Sequence, residues 1–230
     1  MSISVIIPTC NESLRIGRLV DFMSTFGGDL VKEIIVVDAL ATNDNTLAQV
    51  PQGKAIGIKS EATCRAVQMN EGARQATGDI LYFVHADVFP PKSYARDIFR
   101  SLSKDIDYGF FSYEFNSKNR LLKINSYFTR FPNLFTGGGD QTFFIRTSLF
   151  KTMGGFNEEV IMMEDFELYK RLKRAKLKCQ IINNPVLVSA RKYENNSYLK
   201  VNFINLVTMI LFKLGFPLER LKRFYSTALK

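Results

Sequence analysis

Ile3-Ser4-Val5-Ile6-Ile7-Pro8 and Ile34-Ile35-Val36-Val37-Asp38 are the two stretches that decide the fold. Each is a short apolar run rich in β-branched residues, the composition of a strand buried on both faces. Between them Leu19, Phe22, Met23 and Phe26 recur at helical spacing, which predicts a helix over 14–26. Strand, helix and strand in that order make a β-α-β unit with parallel strands.

The pattern continues in both directions from that unit. A strand is expected over 55–59, a helix over 63–77 closed by Gly78, a strand over 80–86, and a helix over 93–102 after Pro90-Pro91. This alternation predicts an α/β fold of the Rossmann-like kind, a mostly parallel sheet flanked by helices. In such sheets ligands bind outside the carboxyl ends of the strands, where Pro8-Thr9, Asp38 and Ala86-Asp87 fall. The second half reads as a strand over 108–115, a helix over 121–130, a turn at Gly137-Gly138-Gly139 and a strand over 141–145. A basic helix from Glu164-Asp165 to about 175, two short strands, and amphipathic helices over 198–214 and 218–227 complete the chain.

With 230 residues, 46% hydrophobic and 23% charged, the chain suits one ordinary globular domain. Cys10, Cys64 and Cys179 are odd in number and widely spaced, so neither a disulfide framework nor a metal knuckle is expected. The beginning lacks a secretory pattern, and the longest apolar stretch, 201–212, is interrupted by Asn202, Asn205 and Thr208; a cytoplasmic protein without a membrane span is expected. Charge is uneven: residues 1–165 hold 17 Lys and Arg against 19 Asp and Glu, whereas 166–230 hold 14 against 3. A basic tail suits a nucleic acid, an anionic membrane or a phosphorylated substrate, or is simply a solvated face.

Four carboxylates, Asp38, Asp87, Asp140 and Asp165, are candidates for one cleft. His85 and Asp87 alternate at the end of the 80–86 strand and would share a side there. Mg²⁺ and Mn²⁺ are held through one or two carboxylates plus substrate phosphates, so Asp87 suffices as a protein ligand. His85, the sole histidine, is equally well explained by a bond to a backbone carbonyl. Glu164-Asp165 opens a helix, where capping and the helix dipole also select acidic residues.

Taken in order, Val5-Ile6-Ile7-Pro8-Thr9-Cys10-Asn11-Glu12, Ile34-Ile35-Val36-Val37-Asp38, Asn70-Glu71-Gly72-Ala73, Gly78-Asp79-Ile80-Leu81, His85-Ala86-Asp87, Gly139-Asp140-Gln141, Gly154-Gly155-Phe156 and Glu164-Asp165 resemble the nucleotide-sugar-dependent family 2 glycosyltransferases. The resemblance extends to a small bacterial subgroup with His-Ala-Asp in place of Asp-x-Asp and a tail similar to Leu214-Gly215-Phe216-Pro217-Leu218-Glu219-Arg220-Leu221. It implies a GT-A fold over 1–190, with 1–105 as the nucleotide-sugar half, 106–190 as the acceptor half, and 191–230 as a basic amphipathic tail of the same domain.

The resemblance further implies an inverting transfer of sugar from a nucleotide-diphosphate sugar, UDP-sugar favoured, to an acceptor hydroxyl; the basic tail and its apolar helix faces point to an acceptor on a lipid or cell-envelope glycan. Thr9, Glu12 and Asp38 would face base and ribose, Asp87 with His85 a Mn²⁺ or Mg²⁺ ion, and Asp140-Gln141 the sugar or acceptor. Asp165 would be the catalytic base, supported by Glu164. The loop 39–46 departs from the family pattern by one inserted residue, which keeps a catalytically silent nucleotide-sugar binder in view. A sugar nucleotidyltransferase would need a basic, glycine-rich loop where Pro8-Thr9-Cys10-Asn11-Glu12 stands, and no recognition motif accompanies the basic helix, so no nucleic acid is expected. An anionic membrane is the expected contact of the tail, at the inner face of the cell membrane.

Overall fold

The computed structural model of the protein describes residues 1–229. β1 (Ile3–Thr9) is buried along its whole length. α1 (Ile16–Gly27) packs back on it through Leu19, Val20 and Met23, and leads to β2 (Val31–Asp38), parallel to β1 with Thr9 opposite Asp38. β3 (Ile56–Lys59) pairs outside β2. α2 (Arg65–Gln75) then crosses to β4 (Ile80–Phe83), which lies parallel to β1 on its other side.

After β4 the chain forms β5 (Val88–Phe89), α3 (Tyr94–Leu102), β6 (Tyr108–Phe115), α4 (Arg120–Phe128), β7 (Phe143–Arg146), α5 (Thr147–Thr152), α6 (Glu164–Arg174) and β8 (Cys179–Val188). Three helices follow, α7 (Arg191–Glu194), α8 (Tyr198–Lys213) and α9 (Leu218–Ala228). The strand order is β3-β2-β1-β4-β7-β6-β8-β5, with β7 antiparallel to β4 and β6 and with β5 antiparallel to β8. The sheet is therefore mixed and mostly parallel, as expected. Among the described residues no helix is long and apolar enough to cross a membrane.

Strand alternation distributes the core over two faces. Val5, Ile7, Val36 and Tyr82 pack with α1 and α3 on one face, whereas Ile6, Ile35, Val37 and Phe83 pack with α2 and α6 on the other. Helix α2 lies so close to the sheet that a Cβ at Gly72 would stand 2.6 Å from Ile6 Cγ2.

Two expectations need correction. The strand expected over 80–86 stops at Phe83, so alternation does not govern His85 and Asp87. The two short strands expected after residue 175 are one strand, β8, whose pairing with β6 shifts register between Phe111 and Tyr113. Asn183-Asn184-Pro185 forms that irregularity, where a proline is tolerated in a sheet, and Asn184 Nδ2 donates to Asp97 Oδ2 at 2.8 Å.

Asn70, inside α2, fastens the Gly154-Gly155-Phe156 turn: its Nδ2 donates to Phe156 O at 2.9 Å and its Oδ1 accepts from Phe156 N at 3.0 Å. Asn70→Leu leaves those buried backbone groups unpartnered and should cost about 1–3 kcal/mol. In a domain of this size the melting temperature falls by roughly 2–4 °C per kcal/mol. An unchanged melting temperature would show that the clamp is dispensable.

Candidate functional site

At the joined ends of β1 and β2, Asp38 is 2% exposed. One carboxylate oxygen accepts from Thr9 Oγ1 at 2.9 Å and Thr42 Oγ1 at 2.7 Å, and the other accepts from Lys59 Nζ at 2.9 Å. Gln68 on α2 donates to Thr9 O at 2.8 Å and Val37 O at 2.7 Å, tying both strand ends to the helix. Thr9 thus acts on its surroundings through Asp38. The departing loop 39–46 folds against the turn after β1: Asp44 accepts from Ser13 N at 3.1 Å, from Thr46 N at 3.0 Å and from the Thr46 hydroxyl. The Thr46 hydroxyl is the main cause that holds the Asp44 carboxyl below its ordinary range.

Beyond β4 lies a second polar cluster. Arg65, the first residue of α2, stands among Glu164, Asp165, Asp140 and Asp87, and its NH1 lies 3.3 Å from Glu164 Oε1. Partial burial works against its charge, yet the four carboxylates raise its pKa above the ordinary value. Asp38 is bonded to Thr9, Thr42 and Lys59, whereas Asp87, Asp140 and Asp165 stand with Glu164 near Arg65.

Glu164 and Asp165 begin α6 immediately after Met163, whose backbone is left-handed at φ 65°. That conformation is costly for a side chain larger than glycine and is held where the surroundings fix it. Burial first, then the charge of Glu164, raises the Asp165 carboxyl well above the usual carboxylate range; Arg65 offsets them only in part. Asp140 lies in the helical turn Gly139–Gln141. Gln141 was expected to face substrate, but it is 2% exposed, its Nε2 donates to Thr129 O at 3.1 Å, and its Oε1 accepts from Gly137 N at 3.0 Å. It holds the turn beneath Asp140.

His85 turns its ring edge toward that same turn. A Cβ at Gly139 would lie 1.9 Å from His85 Cε1 and 2.9 Å from Asp165 Oδ2, so the absence of a side chain admits both groups. Burial, then the positive charge of Arg65, pushes the His85 imidazole down to about 3, leaving the ring neutral. Asp87 instead accepts from Arg191 NH2 at 2.9 Å, and the same nitrogen lies 3.9 Å from Glu12 Oε1. Burial works to raise the Asp87 carboxyl, but the Arg191 hydrogen bond leads the groups that hold it below its ordinary value.

Arg65, Arg191 and Lys192 were not singled out from the sequence. Lys192 is exposed on α7, and Asp140 is the main group that raises its pKa. The available signal was position: Arg191-Lys192 follows the end of β8, and Arg65 starts a helix at the ligand side of the sheet. Among the described residues no three His, Cys, Asp or Glu side chains cluster as a metal cage. The donor set nevertheless fits a hard cation held by one carboxylate, because Arg191 engages Asp87 through Oδ2 alone and diphosphate oxygens and water can supply the remaining ligands.

A family model described as Glycosyl transferase family 2 matches residues 4–162. Glucosyl-3-phosphoglycerate synthase of Mycolicibacterium smegmatis is 30% identical over 98 residues, 39% of this chain and 32% of that protein. The match to these curated relatives therefore spans about a third of their length. The Mycobacterium tuberculosis glucosyl-3-phosphoglycerate synthase in complex with Mn²⁺, UDP and glucosyl-3-phosphoglycerate superposes with a TM-score of 0.65 at 16% identity, over 94% of this chain and 81% of that one. The mannosyltransferase PcManGT from Pyrobaculum calidifontis, in complex with GDP-Man and Mn²⁺, gives 0.68 at 17% identity, over 91% and 61%. S. aureus TarS 1-349 gives 0.61 at 19%, over 92% and 66%. The fold is thus the GT-A type.

His85 is the only histidine, so its ring is a single, assignable NMR signal. Its carbon and nitrogen shifts should stay flat across roughly pH 5 to 8, where an ordinary imidazole titrates. A midpoint near the ordinary value of 6.5 would show that the half-buried ring is not held neutral by its surroundings and Arg65.

Proposed function

The chain belongs to glycosyl transferase family 2, and we propose that it transfers a sugar from a nucleotide-diphosphate sugar to an acceptor hydroxyl with inversion at the anomeric carbon. The observation that carries this reading is the gathering of Asp87, Asp140, Glu164 and Asp165 around Arg65. Displacement at an anomeric carbon needs a base for the incoming hydroxyl and positive charge for the departing diphosphate.

Asp165 is the base. Its raised proton affinity, due to burial and Glu164, suits a carboxylate that must accept a proton from an alcohol. Glu164, paired with Arg65, keeps that charge balance. Asp140 contacts the sugar or acceptor from a turn held by Gln141. Thr9, Glu12 and Asp38 serve the base and ribose end, with Thr9 orienting Asp38. Asp87, with His85 nearby, would hold Mn²⁺ or Mg²⁺, which supplies charge to the leaving diphosphate. Arg191 and Lys192 add fixed positive charge on the same side.

A UDP-sugar is the favoured donor, in keeping with the UDP complex of the mycobacterial synthase. The acceptor is a lipid or cell-envelope glycan met at the inner face of the membrane by a cytoplasmic protein with a basic tail, 14 Lys and Arg against 3 Asp and Glu over 166–230.

Thermal shift with UDP-, GDP- and dTDP-sugars, with and without Mn²⁺, tests the donor site. A metal-dependent rise is expected with a UDP-sugar and should vanish in Asp87→Ala; no rise with any donor counts against the reading. Asp165→Asn should keep the donor shift while turnover falls about 10²- to 10⁴-fold. Because the base must be ionised, the wild-type rate should climb as pH passes upward through the raised Asp165 pKa, above the ordinary carboxylate range. Turnover unchanged in Asp165→Asn, or a product of retained anomeric configuration by NMR, would sink the mechanism.

A further inference from the structure

Helix α4 turns an apolar side outward. Leu121, Ile124, Phe128 and, just beyond the helix, Phe131 follow one another at helical spacing and are 46–57% exposed, while Leu122 and Ser126 on the opposite side are buried. Helix α8 repeats the arrangement: Leu199, Phe203, Leu206, Ile210 and Leu214 form one stripe, 39–78% exposed, and Val201, Ile204 and Thr208 face the core. A helix resting on a globular body normally gives its outer side to polar residues. Both of these helices are apolar on the core side and on the outer side.

The two helices meet through polar side chains. Asn125 Nδ2 donates to Asn202 Oδ1 at 2.9 Å, and Tyr198 OH donates to Asn125 Oδ1 at 2.8 Å. On each helix these residues sit on a flank between the buried and exposed sides, so the helices lie edge to edge with their stripes turned from the core. Leu134 and Phe135 add exposed apolar surface in the loop after α4.

The surrounding charge is of one sign. Residues 116–139 contain Lys118, Arg120, Lys123 and Arg130 and no Asp or Glu. Residues 198–229 contain Lys200, Lys213, Arg220, Lys222 and Arg223 against Glu219 alone. Of these cations, among the described residues, only Arg130 pairs with a carboxylate, Glu114 at 3.7 Å. A second copy docking through the same face would bring like charges together. A bilayer with anionic headgroups accepts both features, apolar side chains entering the headgroup boundary and cations meeting phosphates.

The face lies beside Lys192 and the turn that carries Asp140. Asn125 Nδ2 donates to Tyr193 OH at 3.2 Å, next to Lys192, and Thr129 O receives the Gln141 bond beneath Asp140. We propose that α4, the 129–135 loop and the outer side of α8 form one docking surface for a bilayer containing anionic lipid, which presents the acceptor to the cleft at headgroup level. The presentation of acceptor rests on the transferase reading; the docking does not.

Flotation of the full chain with phosphatidylglycerol-containing vesicles, against pure phosphatidylcholine vesicles, tests it alongside the exposed double variant Phe128→Ser/Phe203→Ser. Wild type should float with the anionic vesicles and more weakly with the neutral ones. The variant should lose binding about tenfold or more at an unchanged melting temperature and an unchanged donor shift. If the variant fails to keep its melting temperature, Arg120→Gln/Lys123→Gln should produce the same loss. Wild type that stays unbound, variants that bind as well as wild type, or a concentration-dependent dimer abolished by the same substitutions would each overturn the proposal. Vesicle binding in a protein that no nucleotide sugar stabilises would support the docking surface and count only against the proposed reaction.

Discussion

Repulsion among carboxylates is the constraint around which the charged cluster at Arg65 is organised. Asp87, Asp140, Glu164 and Asp165 come from three separate stretches of chain, and bringing them together in a partly dehydrated space is unfavourable unless positive charge arrives with them. Arg65 comes from α2 and Arg191 and Lys192 from α7, so the balance is assembled only when both helices are seated. Gln68 and Asn70, buried polar residues on α2, seat the first of these by bonding to strand ends on one side and to the Phe156 backbone on the other. The charge arrangement is therefore a property of the whole fold.

The β3-β2-β1-β4 half was legible because each element there carries a local periodic signal. Strands buried on both faces read as continuous apolar runs, and α1 shows its buried side at helical spacing. The remainder was harder for reasons that lie outside any one segment. In β8 the Asn183-Asn184-Pro185 stretch looks like a break, and only its partner β6 turns it into an irregularity within one strand. The pairs Val88–Phe89 and the four residues of α7 are too short to carry periodicity at all.

The gathering of Asp87, Asp140 and Asp165 in one neighbourhood was also legible, since they sit in short motifs next to glycine turns or strand ends. Their compensating cations were not. A single arginine that balances charge contributed by distant segments leaves no spacing to recognise, and Arg191 lies in a basic tail whose composition does not single it out. Gln141 and Thr9 were found by motif, yet their side chains are used inward, on the Gly137 turn and on Asp38. Motif position located the neighbourhood; burial and bonding identified Gln141 and Thr9 as residues that hold it in shape.

The order of the sheet leaves β3 and β5 at its two edges. β5 has two residues, and β3 has four, with Gly57 inside it and Lys59 at its end. Open edges recruit strands from other chains when they are long, flat and apolar. These edges are too short for that, so many copies gathered on one surface can crowd side by side without zipping their sheets into fibres.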